Sequence, residues 1–144
     1  MGKLKVFLDS NVFISGLYSE KGSPGTILDY FISGKITIVI SQRVLKEVIE
    51  VLSEKFPKVL PLLEEFLSNY PPIIVKDAEF EDIKKWSGIL NNDDAIIMES
   101  AISYKPDYLI TGDRHFFNSP EIEKRSGLKI LKPEDFANIL KKLI

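Results

Sequence analysis

With 144 residues, 44% hydrophobic and 28% charged, the chain has the mix and length of one globular domain, able to bury roughly 68–70% of its unfolded surface without staples. It has no cysteine, which excludes a disulfide framework and a thiolate metal site, and its single histidine, His115, is too little for a histidine-based one. A net charge of −2 excludes a generally basic nucleic-acid coat protein, so any contact with nucleic acid has to use a local patch. No apolar run is long enough to span a bilayer, and MGKLKVFLDSN reads without a secretory leader, so a cytoplasmic protein with no membrane partner is expected.

In chain order, strands and helices alternate. LKVFLD (Leu4 to Asp9) is a short apolar strand. SPGTILDYFISGK reads as a helix with Ser23 as N-cap, Pro24 in the first turn and Gly34 at its end. Ile36–Ile40 is a β-branched run of the kind covered on both faces. Ser41 caps a helix through about Ser53, and a further helix spans Pro57 to Tyr70, ended by Pro71 and Pro72. Ile73–Val75 is a short strand, Phe80 to Leu90 a helix, and Asn91 opens the next helix. DYLITGD (Asp107 to Asp113) is a strand with its exit turn, LKIL (Leu128 to Leu131) the last strand, and Pro133 starts the closing helix. This pattern predicts a single-domain, three-layer α/β/α fold spanning residues 1–144, with a mostly parallel sheet of about five strands. In such sheets the ligand crevice lies beyond the carboxyl ends of the strands.

Four acids fall near those ends. Asp9 follows the first strand, Asp113 follows the fourth, Glu47 lies in the second turn of the helix after Ile36–Ile40, and Asp94 begins the helix before Asp107–Thr111. Asp94 is anomalous, because it shares the apolar stripe of Ile97, Met98 and Ala101, three, four and seven residues on. Asp93 is turned away and reads as a helix cap. Four carboxylates brought together need raised pKa values or a cation among them. Oxygen ligands alone suit a hard ion such as Mg²⁺ or Mn²⁺. Taken singly, each acid also has an ordinary structural reading as a turn, boundary or first-turn residue; all four at once, in this order, do not.

The series LDSNVFISGL, SQRVLKE, DDAIIMESA and DYLITGD, closed by LKILKPEDF, resembles the PIN-domain family of metal-dependent ribonucleases over nearly the whole chain. The nearest look-alikes are stand-alone prokaryotic PIN proteins, often the toxin half of a toxin–antitoxin pair. The resemblance implies that Asp9, Glu47, Asp94 and Asp113 form an acidic quartet holding one or two Mg²⁺ or Mn²⁺ ions, with Asn11 and Thr111 as supporting polar residues. It also implies an RNA substrate, an antitoxin partner and a homodimer. Many relatives carry a further acid after the last quartet member; here Arg114 and His115 stand there instead.

The reaction so implied is metal-assisted phosphodiester hydrolysis. Arg43, Arg114, Lys124, Arg125 and Lys129 are the candidate cations for gripping phosphate. His115, without a second histidine or a serine to work with, reads as a surface or packing residue, Phe116 and Phe117 as core, and Trp86 as packing its helix on the sheet. The competing function is a non-catalytic RNA-binding or regulatory module on the same fold. A receiver-like phospho-acceptor domain is another, but Ile73–Val75 runs into Lys76 and Asp77, which present no obvious acceptor, and Glu47 has no role in it. A small-molecule phosphatase lacks its Asp-x-Asp pair, because Asn11 holds the third position.

Overall fold

A computed structural model describes residues 2–143. Strand β1 (Leu4–Leu8) carries Val6, Phe7 and Leu8 with no exposed surface. Successive strand side chains point to opposite faces, so both faces of β1 are covered. The same holds for Ile38, Val39 and Ile40 of β2 (Ile36–Ser41). Strands β3 (Ile73–Val75), β4 (Tyr108–Ile110) and β5 (Lys129–Leu131) are three residues each. The order is β3-β2-β1-β4-β5. Every pairing is parallel, with Phe7 opposite Val39 on one side and Leu109 on the other. The expected five-stranded sheet is therefore present and wholly parallel.

The helices are α1 (Ser10–Tyr18), α2 (Ser23–Ile32), α3 (Gln42–Lys55), α4 (Leu60–Asn69), α5 (Asn92–Tyr104), α6 (Pro120–Ser126) and α7 (Pro133–Lys142). One group is continuous through α7, α2, α1, α3 and α4, while α5 packs on β2, α6 and the turn at residues 80–86. Together with the two-sided burial of β1 and β2, these groups make the outer layers of the α/β/α fold. The chain steps outward from β1 to β2 to β3, then returns to lay β4 on the far side of β1. The strand order reverses between β1 and β4, and the carboxyl ends at such a reversal are where α/β sheets carry their ligand sites.

Several elements differ from the sequence reading for local reasons. Residues 10–22 and 114–127, unassigned from sequence, contain α1 and α6; α1 starts at once because the Asp9 side chain accepts from the Ser10 N–H at 2.8 Å. The α2 cap is Gly22, at φ 95, and not Ser23, which becomes the first helical residue. The Pro57–Tyr70 segment divides into a 3₁₀ turn (Pro57–Val59) and α4, because Pro61 lacks an N–H in the first turn. Phe80–Trp86 is 3₁₀ and not α-helical, and it stops before Gly88, which takes φ 79. The cap of α5 is Asn91, whose Oδ1 accepts from the Asp94 N–H at 2.8 Å; Asp93 does not cap it. Trp86 and Phe116 are buried as expected, but Phe117 is exposed, with the Lys132 ammonium 5.8 Å from its ring centre.

Candidate active site

Asp9 leaves β1 at the switch point, its own N–H bonded to the Ile110 carbonyl of β4 at 3.0 Å. Its side chain is buried and fully engaged. Oδ1 accepts from Ser10 N–H at 2.8 Å, and Oδ2 accepts from the Thr111 hydroxyl at 2.7 Å and the Asn11 amide at 3.0 Å. Thr111 Oγ1 also accepts from the Asp113 N–H at 3.0 Å. Asn11 Oδ1 accepts from the Gly112 N–H at 2.9 Å. A Cβ on Gly112 would stand 3.1 Å from that Oδ1, so a glycine lets the β4 exit come this close. Asn11 and Thr111 thus fasten the β1 exit to the β4 exit through Asp9.

The other acids arrive from separate elements. Asp94, at the start of α5, is buried, and its Oδ2 accepts from the Asn91 amide at 2.9 Å. Asp113 opens a 3₁₀ turn (Arg114–Phe117), its Oδ1 accepting from the His115 N–H at 2.9 Å. Glu47, on an exposed position of α3, accepts a hydrogen bond from the Ser10 hydroxyl. Burial lifts the Asp9 carboxyl from 3.8 to about 6; the Thr111 and Ser10 hydrogen bonds oppose this, and the Glu47 and Asp113 charges add to it. The Asp94 carboxyl is also raised, first by burial and then by Asp113, with Asn91 and His115 pulling it down. The mutual influence runs from Glu47 through Asp9 and Asp113 to Asp94, so residues from four segments share one electrostatic site.

Two residues of the site escape the sequence reading. Ser10, which positions Glu47, is one ordinary serine in a turn-like sequence. His115 is the other. Its Nδ1 lies 3.1 Å from Asp113 Oδ1 and 3.4 Å from Asp94 Oδ2. Donor atoms of Asp94, Asp113 and His115 all fall within 4.8 Å of one another, close enough for one metal ion. Its position two residues after Asp113 is the only sequence signal that points there.

The candidate phosphate-gripping cations divide into two kinds. Arg43 is ion-paired with Asp93, and its N–H donates to Asp77 Oδ1 at 2.8 Å. Arg125 pairs with Glu121 at 3.3 Å and donates to the Lys85 carbonyl at 3.2 Å. Arg114, Lys124 and Lys129 have no ion pair among the described residues. Arg114 stands between Asp113 and His115, whereas Lys124 and Lys129 line a shallow surface depression beside α6.

A doubly wound parallel sheet with carboxylates near its switch point defines an α/β protein whose Asp94, Asp113 and His115 could hold a cation at the strand ends. The chain belongs to the PIN domain family, whose family model matches residues 5–115, a span that takes in Asp9, Glu47, Asp94, Asp113 and His115. The uncharacterized protein MJ1680 of Methanocaldococcus jannaschii is 31% identical over 160 residues, covering 99% of this chain and 95% of that protein. Among solved structures, VapBC2 from Rickettsia felis bound to a DNA fragment from its promoter contains a chain with TM-score 0.65 and 22% identity, covering 90% of this chain and 98% of that one. PAE2754 from Pyrobaculum aerophilum gives TM-score 0.66 at 16% identity, covering 96% and 90% respectively. DNA-bound VapBC from Salmonella typhimurium gives 0.61 at 20%, covering 90% and 98%. At these identities the structural likeness is one of fold. No helix among the described residues is long and apolar enough to cross a membrane.

Proposed function

We propose that the chain is a divalent-metal-dependent endoribonuclease that hydrolyses phosphodiester bonds of RNA, acts in the cytoplasm, and is the toxin half of a toxin–antitoxin pair. The observation that carries this reading is the chain of Glu47, Asp9, Asp113 and Asp94. Asp9 and Asp94 are both held above the ordinary carboxylate range, which is costly unless a cation shares the site. The donor set fits Mg²⁺ or Mn²⁺: carboxylate oxygens of Asp94 and Asp113 lie close enough for one ion, while Asp9 and Glu47 stand outside that group and act on it through their charge. Such an ion would supply Lewis-acid activation of water and neutralise charge growing on the phosphate.

The protein's own groups have distinct tasks. Thr111, Asn11 and the Ser10 N–H lock both oxygens of Asp9, so that carboxylate is held in one orientation. The Ser10 hydroxyl holds one oxygen of Glu47, leaving the other to orient a water or take its proton. Arg114, beside Asp113, and Lys124 contact phosphates, so substrate binding weakens with salt. Membership of the PIN domain family supports a nuclease, and the fold shared with chains of VapBC structures supports an antitoxin partner. An apolar groove lined by Leu17, Leu28, Leu62 and Phe66, with Glu20 and Glu65 on its rim, offers that partner a surface. A homodimer would show as a solution mass twice the 16.4 kDa of one chain.

The deciding experiment is cleavage of a mixed-sequence single-stranded RNA with Mn²⁺, with Mg²⁺ and with EDTA, for the wild type and Asp94→Asn. Cleavage that requires metal and is lost in the variant is expected. Metal binding without cleavage would favour a binding module, and cleavage surviving both EDTA and the substitution would overturn the site.

A further inference from the structure

We infer that His115 is a metal ligand through Nδ1, so that this centre is a mixed nitrogen–oxygen site preferring Mn²⁺ and the later first-row divalent ions to Mg²⁺; this deepens, and rests on, the metal-dependent reading above. The geometry is that of ligands and not of a chance surface histidine. Two neighbouring ligands of an octahedral ion, each about 2.1 Å from it, sit about 3.0 Å apart. His115 Nδ1 is 3.1 Å from Asp113 Oδ1 and 3.4 Å from Asp94 Oδ2. Asp94 Oδ2 and Asp113 Oδ1 already accept from the Asn91 amide and the His115 N–H, and a single ring nitrogen can add a hydrogen to only one of them. A cation among the three uses the remaining lone pair of each carboxylate oxygen and that of the ring nitrogen.

The imidazole is also held where it is. Its backbone N–H donates to Asp113 Oδ1 at 2.9 Å, and the next residue, Phe116, is buried, anchoring the short turn that carries His115. The His115 side chain is 62% exposed, so the Nε2 edge stays open to solvent and substrate while Nδ1 faces the acids. Imidazole nitrogen strengthens binding along the series from Mn²⁺ through Co²⁺, whereas Mg²⁺ keeps to oxygen ligands and water. Removing the ring should therefore discriminate between these ions, which a merely structural histidine would not do.

The test is calorimetric titration of the apo chain with Mg²⁺, Mn²⁺ and Co²⁺ for the wild type, His115→Gln and Asp94→Asn, with pulsed EPR of the Mn²⁺-loaded protein. His115→Gln should weaken Mn²⁺ and Co²⁺ by about tenfold or more and change Mg²⁺ by less than about threefold. Imidazole ¹⁴N coupling to Mn²⁺ should be present in the wild type and absent in His115→Gln. If the wild type shows no nitrogen coupling and His115→Gln binds all three ions unchanged, while Asp94→Asn abolishes binding, the ion is held by carboxylates alone. The His115 assignment then falls and the metal-dependent reading stands. If the wild type binds no divalent ion, that reading fails and takes this inference with it.

Discussion

The Thr111 hydroxyl donates to Asp9 Oδ2 at 2.7 Å across 102 positions of sequence. Thr111 Oγ1 in turn accepts from the Asp113 N–H at 3.0 Å, so one hydroxyl sets the spacing of two acids at the exits of neighbouring strands. Thr111→Val keeps the shape and removes the hydroxyl. It leaves the Asp113 N–H without its acceptor and Asp9 Oδ2 with Asn11 alone. A loss of about 1–3 kcal/mol is expected in urea unfolding, with metal affinity reduced about 10–100-fold. Unchanged stability and affinity would mean that the hydroxyl does not position Asp9.

Acid should stabilise the metal-free protein through Asp9. Its folded pKa is raised from 3.8 to about 6, chiefly by burial, so the native state binds the proton more tightly than the unfolded chain. That contribution to stability is fully present below 3.8 and is lost as pH rises through about 6. Asp94, raised in the same direction, acts with the same sign. Thermal melts in EDTA should therefore show a higher Tm near pH 5 than near pH 7. Asp9→Asn should flatten that slope, and added Mn²⁺ should restore stability at the higher pH by mass action. A Tm that falls on acidification in the wild type and in Asp9→Asn alike would show that burial of Asp9 does not control the profile.

Gly112→Ala tests the close approach of the two strand exits. The new Cβ would stand 3.1 Å from Asn11 Oδ1, the atom that accepts the Gly112 N–H. Asn11 has to withdraw, which loosens its grip on Asp9 Oδ2. A modest loss of about 1 kcal/mol in stability is expected, together with a larger fall in RNA cleavage at fixed metal concentration. Equal activity at equal stability would show that the approach is not needed.

Away from the site, Trp86 fastens the 80–86 turn to α5. It is buried, and its indole N–H lies 3.3 Å from Oε1 of the buried Glu99, which also receives Lys85 Nζ at 2.6 Å. Trp86→Ala should cost about 3–5 kcal/mol through the cavity it leaves. Trp86→Phe, which loses the N–H while keeping an aromatic ring, should cost about 1 kcal/mol. Chemical unfolding of both variants measures the difference; similar losses would assign Trp86 to polar anchoring and not to packing.

Local physics made much of this molecule legible in sequence. The β-branched run Ile36–Ile40 and the apolar Leu4–Leu8 segment are strands because they have to be buried on both faces, and they occupy the centre of the sheet. Asp94 on the stripe of Ile97, Met98 and Ala101 announced a buried carboxylate, and it is one. Caps were less legible: Ser41 is the cap its position implied, with its hydroxyl accepting the Val44 N–H at 3.2 Å, but Asn91 displaced Asp93 and Gly22 displaced Ser23. Several residues within a turn can each cap a helix, and the backbone path chooses among them.

What tertiary structure alone decided are the pairings between distant segments. Ser10 reaches Glu47 across 37 positions and Arg43 reaches Asp93 across 50. Glu99 is buried against Lys85 and Trp86 with no periodic signal, because α5 is enclosed on more than one face. His115, ordinary as a sequence position, is turned toward Asp94 and Asp113 by the exit of β4. Periodicity marks which face of an element is apolar, since polarity is a property of each residue on its own. Which polar atoms meet at a strand end depends on strand order and the reversal between β1 and β4, and that order is set by packing of the whole chain.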